Sequence, residues 1–176
     1  MIGEYRQTQA VVIGSGLCGL AAACRLLQEK VQVLVLGPLP GNLALAAGSL
    51  DFLECLPGEP DSLVENPWQA LARLRTTEPQ HPYAVLGDAE LRAAWEGFAG
   101  VLAQTALYYR GGGEKNLLLP TSWGAVRPTY LLPKAMHTAA KGLRRRTPAL
   151  IADFKGMQEF NARLMVGAPL AANGTT

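Results

Sequence analysis

Six consecutive residues carry the clearest chemistry in this chain: Gly14, Ser15, Gly16, Leu17, Cys18 and Gly19, which form a GxGxxG loop. The first glycine permits a tight turn from strand to helix. The second leaves space for a phosphate beside the backbone, and the third lets helix and strand pack closely. Such a loop works only between the right elements, and the flanking residues supply them. Ala10 to Gly14 is a β-branched apolar run of the kind that forms a strand buried on both faces. A helix is expected from Leu17 to Glu29, with Leu20, Cys24 and Leu27 on its apolar face. Val31 to Leu36 reads as a second strand. The helix N-terminus, with its free N–H groups and positive dipole end, then faces an anion. The reading is nucleotide or flavin binding.

The second strand ends unusually. An acid there would grip the ribose hydroxyls of an adenosine, but Gly37 occupies the position and the next acid after it is Asp51. An adenosine-bearing ligand would therefore lose a charge-assisted contact there, worth roughly 1.5–3 kcal/mol. If the loop tolerates the change, an acid introduced at Gly37 is expected to favour a flavin that carries adenosine.

Other candidate residues are more scattered. Gly48 lies in a run of small residues that permits close approach by a cofactor, and Ser49 can cap a short helix from Leu50 to Leu56. A helix is expected over Trp68 to Thr76 with Leu71 and Leu74 inward. A longer one, capped by Asp88, extends to about Tyr109 and carries a core stripe of Leu91, Trp95, Phe98, Leu102 and Ala106. The Gly- and Pro-punctuated stretch from Arg110 to His137 reads as hairpins, in which Arg127 is either a candidate anchor for a substrate phosphate or carboxylate or a surface arginine in a solvated salt bridge. Arg144 to Arg146 reads as a solvated basic turn. Ala149 to Phe154 is expected to be a strand, and Lys155 to Val166 a helix. His81 and His137 have no evident acid–base partner, so no catalytic residue is assigned. Three cysteines, Cys18, Cys24 and Cys55, match no metal-ligand spacing and read as free thiols.

Composition narrows the classes. The chain has 176 residues, enough for one domain with a real core, and 49% of them are apolar, as in an ordinary folded protein. A formal net charge of +2 gives no reason to expect a nucleic-acid partner. No apolar run reaches the ~20 residues that span a bilayer. The first residues lack a signal-peptide core. A cytoplasmic location is therefore expected.

Several segments, in order, resemble the B subunit of the bacterial anaerobic glycerol-3-phosphate dehydrogenases: VVIGSGLCGL, AAGSLDFLECLPGEP, HPYAVLG and LPTSWGAVRPTYLLP, with a weaker likeness through DFKGMQEFNARL. The resemblance covers nearly all of this chain and the N-terminal part of the family. It implies a flavin subunit holding FMN that works with an FAD-bearing catalytic A subunit and an iron–sulfur C subunit. Together they oxidise glycerol 3-phosphate to dihydroxyacetone phosphate and pass electrons towards quinone. It also implies a place at the inner face of the cytoplasmic membrane, held through the partners. The fold class expected is α/β: a Rossmann-like FAD/NAD(P)-binding βαβ unit with a β-containing insertion, truncated at the C-terminus. The expected divisions are residues 1–109 for the flavin-binding part with its helical connections, 110–147 for the insertion, and 148–176 for an incomplete α/β segment. A chain of this kind is expected to be inactive alone. The alternative is a non-catalytic interaction subunit.

Overall fold

A computed structural model of the chain describes residues 7–38, 41–106, 108–157 and 160–167. It divides between Ala47 and Gly48 into two compact units. The first expected division, residues 1–109, spans parts of both.

The first unit is the βαβ element. Strand β1, Ala10–Ile13, leads through the glycine loop into helix α1, Leu17–Gln28, and the chain returns as strand β2, Val33–Leu36. β1 and β2 are parallel, with Ala10 opposite Val33 and Ile13 opposite Leu36. Lys30, at a positive φ of 61°, makes the turn between α1 and β2. A 3₁₀ turn at Asn42–Leu45 follows.

Two expectations for this unit are corrected. The strand is not buried on both faces: Val11 is 51% and Ile13 87% exposed. β1 and β2 form a two-stranded sheet, so no further strand among the described residues covers them. The buried face of α1 also differs. Ala23 is its buried residue, with Gly19, Leu20 and Leu26 half-buried, whereas Cys24 and Leu27 of the expected face are exposed. Gly19 sets this rotation. A side chain there would strike the carbonyl of Gly14, so the glycine edge of the helix turns to the strand. Positions 19, 23 and 26 then share that face.

In the second unit, helix α2 (Pro67–Thr77) starts at Asn66, whose carboxamide oxygen accepts from the N–H groups of Trp68 and Gln69, each at 3.0 Å. Pro67 suits the first helical turn because its missing donor would be unpaired there in any case. Leu71 and Leu74 face inward as expected and are fully buried. A short helix α3 (Pro82–Val85) is capped by His81, whose Nδ1 accepts from the Tyr83 N–H at 3.1 Å. Helix α4 spans Asp88–Ala103. Its cap is Gly87 rather than Asp88: Glu90 reaches back to accept from the Gly87 N–H at 2.8 Å, while Asp88 pairs with Arg75 at 2.5 Å.

Four short strands follow: β3 (Tyr109–Gly111), β4 (Leu117–Pro120), β5 (Val126–Thr129) and β6 (Leu131–Pro133). β3 pairs antiparallel with β6, and β4 with β5. β6 leads directly into helix α5, Lys134–Arg144.

Two further expectations fail here. Leu50 to Leu56 is not a helix. Leu50 is extended and exchanges backbone hydrogen bonds with Leu131 at 2.9 and 3.0 Å, which frees Phe52, Leu53 and Leu56 to enter the core. Ala149 to Phe154 forms no strand, and Leu150 is 94% exposed. Asp153 instead accepts from the Ala162 N–H at the start of helix α6, Ala162–Gly167, which is shorter than the helix expected from Lys155. Gln158 and Glu159, in the middle of that expected helix, lie outside the described residues, as does the chain after Gly167.

The core of this unit is aromatic. Phe52 contacts four rings: Trp68 at 4.8 Å, Tyr83 at 5.2 Å, Tyr130 at 5.5 Å and Trp95 at 5.6 Å between centroids. The Trp68 indole donates to the Tyr130 hydroxyl at 3.2 Å, so both polar tips in this packing are engaged. Burial raises the Tyr130 pKa above its ordinary value, partly offset by that bond. Asn116 ties the loop down by donating to the carbonyls of Leu53 and Val64, each at 2.9 Å.

Candidate functional site

The glycine loop is built as its spacing requires. Gly14 turns the chain at φ 112°, a conformation that side chains resist, and its N–H donates to the Leu36 carbonyl at 2.7 Å. Ser15 is buried, and its hydroxyl donates to the Pro38 carbonyl, tying the loop to the end of β2. Gly16 caps α1 in extended conformation, and the space a Cβ would enter there is open to 4 Å. Leu17, Cys18 and Gly19 supply the first-turn N–H groups, which an α-helix leaves without internal partners. Leu17 and Cys18 are exposed. No acidic residue stands in this first turn. The result is an uncrowded patch of donors at the positive end of a helix, which fits the phosphate of a flavin.

Gly37 has a different role from the one read in the sequence. A Cβ at this position would sit 2.8 Å from the Ser15 nitrogen and 3.0 Å from its Oγ. A Cβ at Gly41 would strike the Ser15 carbonyl. The two glycines let the chain after β2 close directly onto the glycine loop. Gly37 is therefore a packing position, and an acid cannot be added there without moving the loop. The expectation of an FAD-favouring acid at this position is corrected on that ground.

The remaining site candidates belong to the second unit. Gly48, at φ 86°, accepts from the Tyr109 hydroxyl at 2.7 Å through its carbonyl. Ser49 does not cap a helix. Its hydroxyl accepts from Arg127 at 2.6 Å, and the same guanidinium nitrogen reaches Asp51 at 2.9 Å. Ser49 and Arg127 are 78 residues apart in sequence and are brought together by the antiparallel bridge of Leu50 to Leu131. Arg127 is thus already matched by a carboxylate, and Asp51 is the member of this cluster that sequence reasoning missed. His81 serves as a helix cap. His137 has its pKa lowered by burial, then by Lys141 and Arg110.

The segments that carried the resemblance meet in one place. Phe52, Tyr83 and Tyr130, from GSLDFLECLP, HPY and GAVRPTYL, are in ring contact. Their specificity is that of a shared core rather than of a row of catalytic groups.

A parallel βαβ element with a glycine loop open to a phosphate defines the class as dinucleotide- or flavin-binding α/β proteins. Residues 9–171 match the family described as FAD binding domain, and the chain belongs to that family. Its relatives include proteins named as the B subunit of anaerobic glycerol-3-phosphate dehydrogenase. The one from Actinobacillus pleuropneumoniae serotype 5b is 30% identical over 73% of this chain and 29% of the relative. The one from Pectobacterium carotovorum is 30% identical over 93% of this chain and 39% of the relative. The one from Haemophilus influenzae (strain Rd) is 32% identical over 72% and 30%. The chain thus spans between 29% and 39% of the length of these relatives. No solved structure matches it.

Proposed function

We propose that this chain is the flavin-binding part of a B subunit of anaerobic glycerol-3-phosphate dehydrogenase, an oxidoreductase. The observation that carries the reading is the open donor patch at Gly16 and the α1 N-terminus, in a chain of the FAD binding domain family. Gly14, Ser15, Gly16, Leu17, Cys18 and Gly19 would hold the flavin phosphate through backbone N–H groups. Gly37 contributes by leaving room for Ser15 in its place. Bound flavin would supply the two-electron acceptor for oxidation of the substrate alcohol. The chain's own part is to bind and orient it.

FMN is the first choice of cofactor, because β2 ends without a ribose acid. The family match favours FAD, and mass spectrometry of the released flavin separates the two. The reading extends to an FAD-bearing catalytic A subunit and an iron–sulfur C subunit as partners. Electrons would pass towards quinone at the inner face of the cytoplasmic membrane, with this chain in the cytoplasm and held there through its partners. No helix among the described residues is long and apolar enough to cross a membrane. Alone, the chain does not turn over glycerol 3-phosphate: among the described residues no histidine pairs with a carboxylate. The same observation supports a second reading, a non-catalytic interaction subunit. The test is purification of the chain with and without the FAD-bearing partner, followed by flavin absorbance and dye reduction with glycerol 3-phosphate. Flavin and turnover in the complex support the first reading. A complex that turns over with no flavin on this chain supports the second.

A further inference from the structure

We propose that a cationic cleft in the second unit, lined by Arg110, Lys134, His137, Lys141 and Arg145, is a binding site for a phosphate group. The cleft has a volume of about 500 Å³ and no carboxylate in its lining. Its construction follows from the fold. Lys134, Thr138 and Lys141 recur at i, i+4 and i+7 on one face of α5, and Arg145 follows its last turn, its N–H donating to the Lys141 carbonyl at 3.0 Å. β3 pairs with β6, which runs straight into α5, so Arg110 is delivered beside the start of that helix. The Lys134 N–H donates to the Tyr108 carbonyl at 3.0 Å and fixes the two walls.

The charge distribution makes the cleft unusual within this chain. Among the described residues, six cations elsewhere are in ion pairs: Arg25 with Glu29, Arg73 with Glu59, Arg75 with Asp88, Arg92 with Glu114, Lys115 with Glu65 and Arg127 with Asp51. Among the described residues, none of Arg110, Lys134, Lys141 and Arg145 is in an ion pair. The whole chain carries only +2, so these four are a local concentration rather than a sample of a basic protein. Like charges held together in a concave site repel, and an anion between them relieves the repulsion and gains charge-assisted hydrogen bonds. Arg and Lys together are the donor set that phosphate takes. Thr147, at the rim, adds a hydroxyl donor.

His137 reports on occupancy. The charged groups that face it are Lys134 and Lys141 on its own helix, Arg110 on β3 and Arg145 after the helix; β4 and β6 bring no charged residue. Burial, then Lys141 and Arg110, hold its pKa below the ordinary histidine value. A bound phosphate reverses the electrostatic part, so its pKa rises.

The phosphate could be that of a small soluble ester or of an anionic lipid headgroup, and two arms of one experiment distinguish them. In the first, the whole chain is titrated with inorganic phosphate while the ring protons of its two histidines are followed by NMR. Saturable binding with a raised His137 pKa and an unmoved His81 is expected. In the second, sedimentation with phosphatidylglycerol vesicles is compared with phosphatidylcholine vesicles. Lys141→Ala and Arg110→Ala should each weaken the response about tenfold. Arg73→Ala, which removes the same charge elsewhere, should leave it unchanged. Response to inorganic phosphate assigns a soluble ester, and response only to phosphatidylglycerol vesicles assigns a headgroup. No response in either arm overturns the proposal. So does a response that Lys141→Ala and Arg73→Ala alter equally.

Discussion

Replacing Gly37 tests the packing of the glycine loop directly. A Cβ there lies 2.8 Å from the Ser15 nitrogen. Optimal non-bonded separations are ~3.5–4.0 Å, so the overlap is at least about 0.7 Å. Ser15 has little room to retreat. It is 4% exposed, its hydroxyl is bonded to the Pro38 carbonyl, and its own carbonyl lies against Gly41. Forcing a carbon into a packed site costs roughly 1–3 kcal/mol. At ~2–4 °C per kcal/mol this lowers the melting temperature by about 2–12 °C. Gly37→Ala and Gly37→Glu should both show the loss in a far-UV circular dichroism melt. Faster amide hydrogen exchange over residues 15–20 would place it in the first unit. Flavin titration should show Gly37→Glu weaker for both FMN and FAD, because the displaced loop is the one that meets the phosphate. A Gly37→Glu protein that melts like wild type and binds FAD selectively more tightly would refute the reasoning.

Phe52→Ala removes the ring at the centre of the aromatic cluster and should cost ~3–5 kcal/mol in urea unfolding. Arg127→Gln breaks a pair whose side chains are each about one-third exposed, so its cost in the same assay should be ~1 kcal/mol or less. Ile13→Thr alters a residue that is 87% exposed and should leave stability within ~0.5 kcal/mol of wild type, measured by thermal melt.

The elements around the glycine loop were legible because their signals are local. GxGxxG, its β-branched lead-in and the apolar run after it fix strand, turn and helix within a few dozen residues. The burial of Leu71 and Leu74 was legible for the same reason: one helix carries both. What failed depended on distant partners. Ser49 reads as a helix cap until Leu50 is seen to pair with Leu131, and the choice for Arg127 between anchor and salt bridge stays open until Asp51, 76 residues away in sequence, is beside it. Gly37 reads as a missing acid because the sequence does not show that Ser15 fills the space a side chain would need there. The lysine stripe of α5 had a readable helical spacing, but its meaning needed Arg110, which arrives from another strand.

The central claim is that the Gly16 end of α1 holds a flavin phosphate, and comparing FMN with riboflavin tests it most directly. Riboflavin has the same ring system and lacks the phosphate. Each charge-assisted hydrogen bond contributes ~1.5–3 kcal/mol, so two backbone contacts are worth at least about a hundredfold in affinity. Fluorescence titration of the whole chain, carried to millimolar ligand, should show FMN preferred over riboflavin by that factor. Gly16→Val should abolish the preference while its circular dichroism spectrum stays that of wild type, since Gly16 has an ordinary φ of −77° and open space at its Cβ. Equal affinity for FMN and riboflavin in the wild-type chain, or a preference that survives Gly16→Val, would contradict the account.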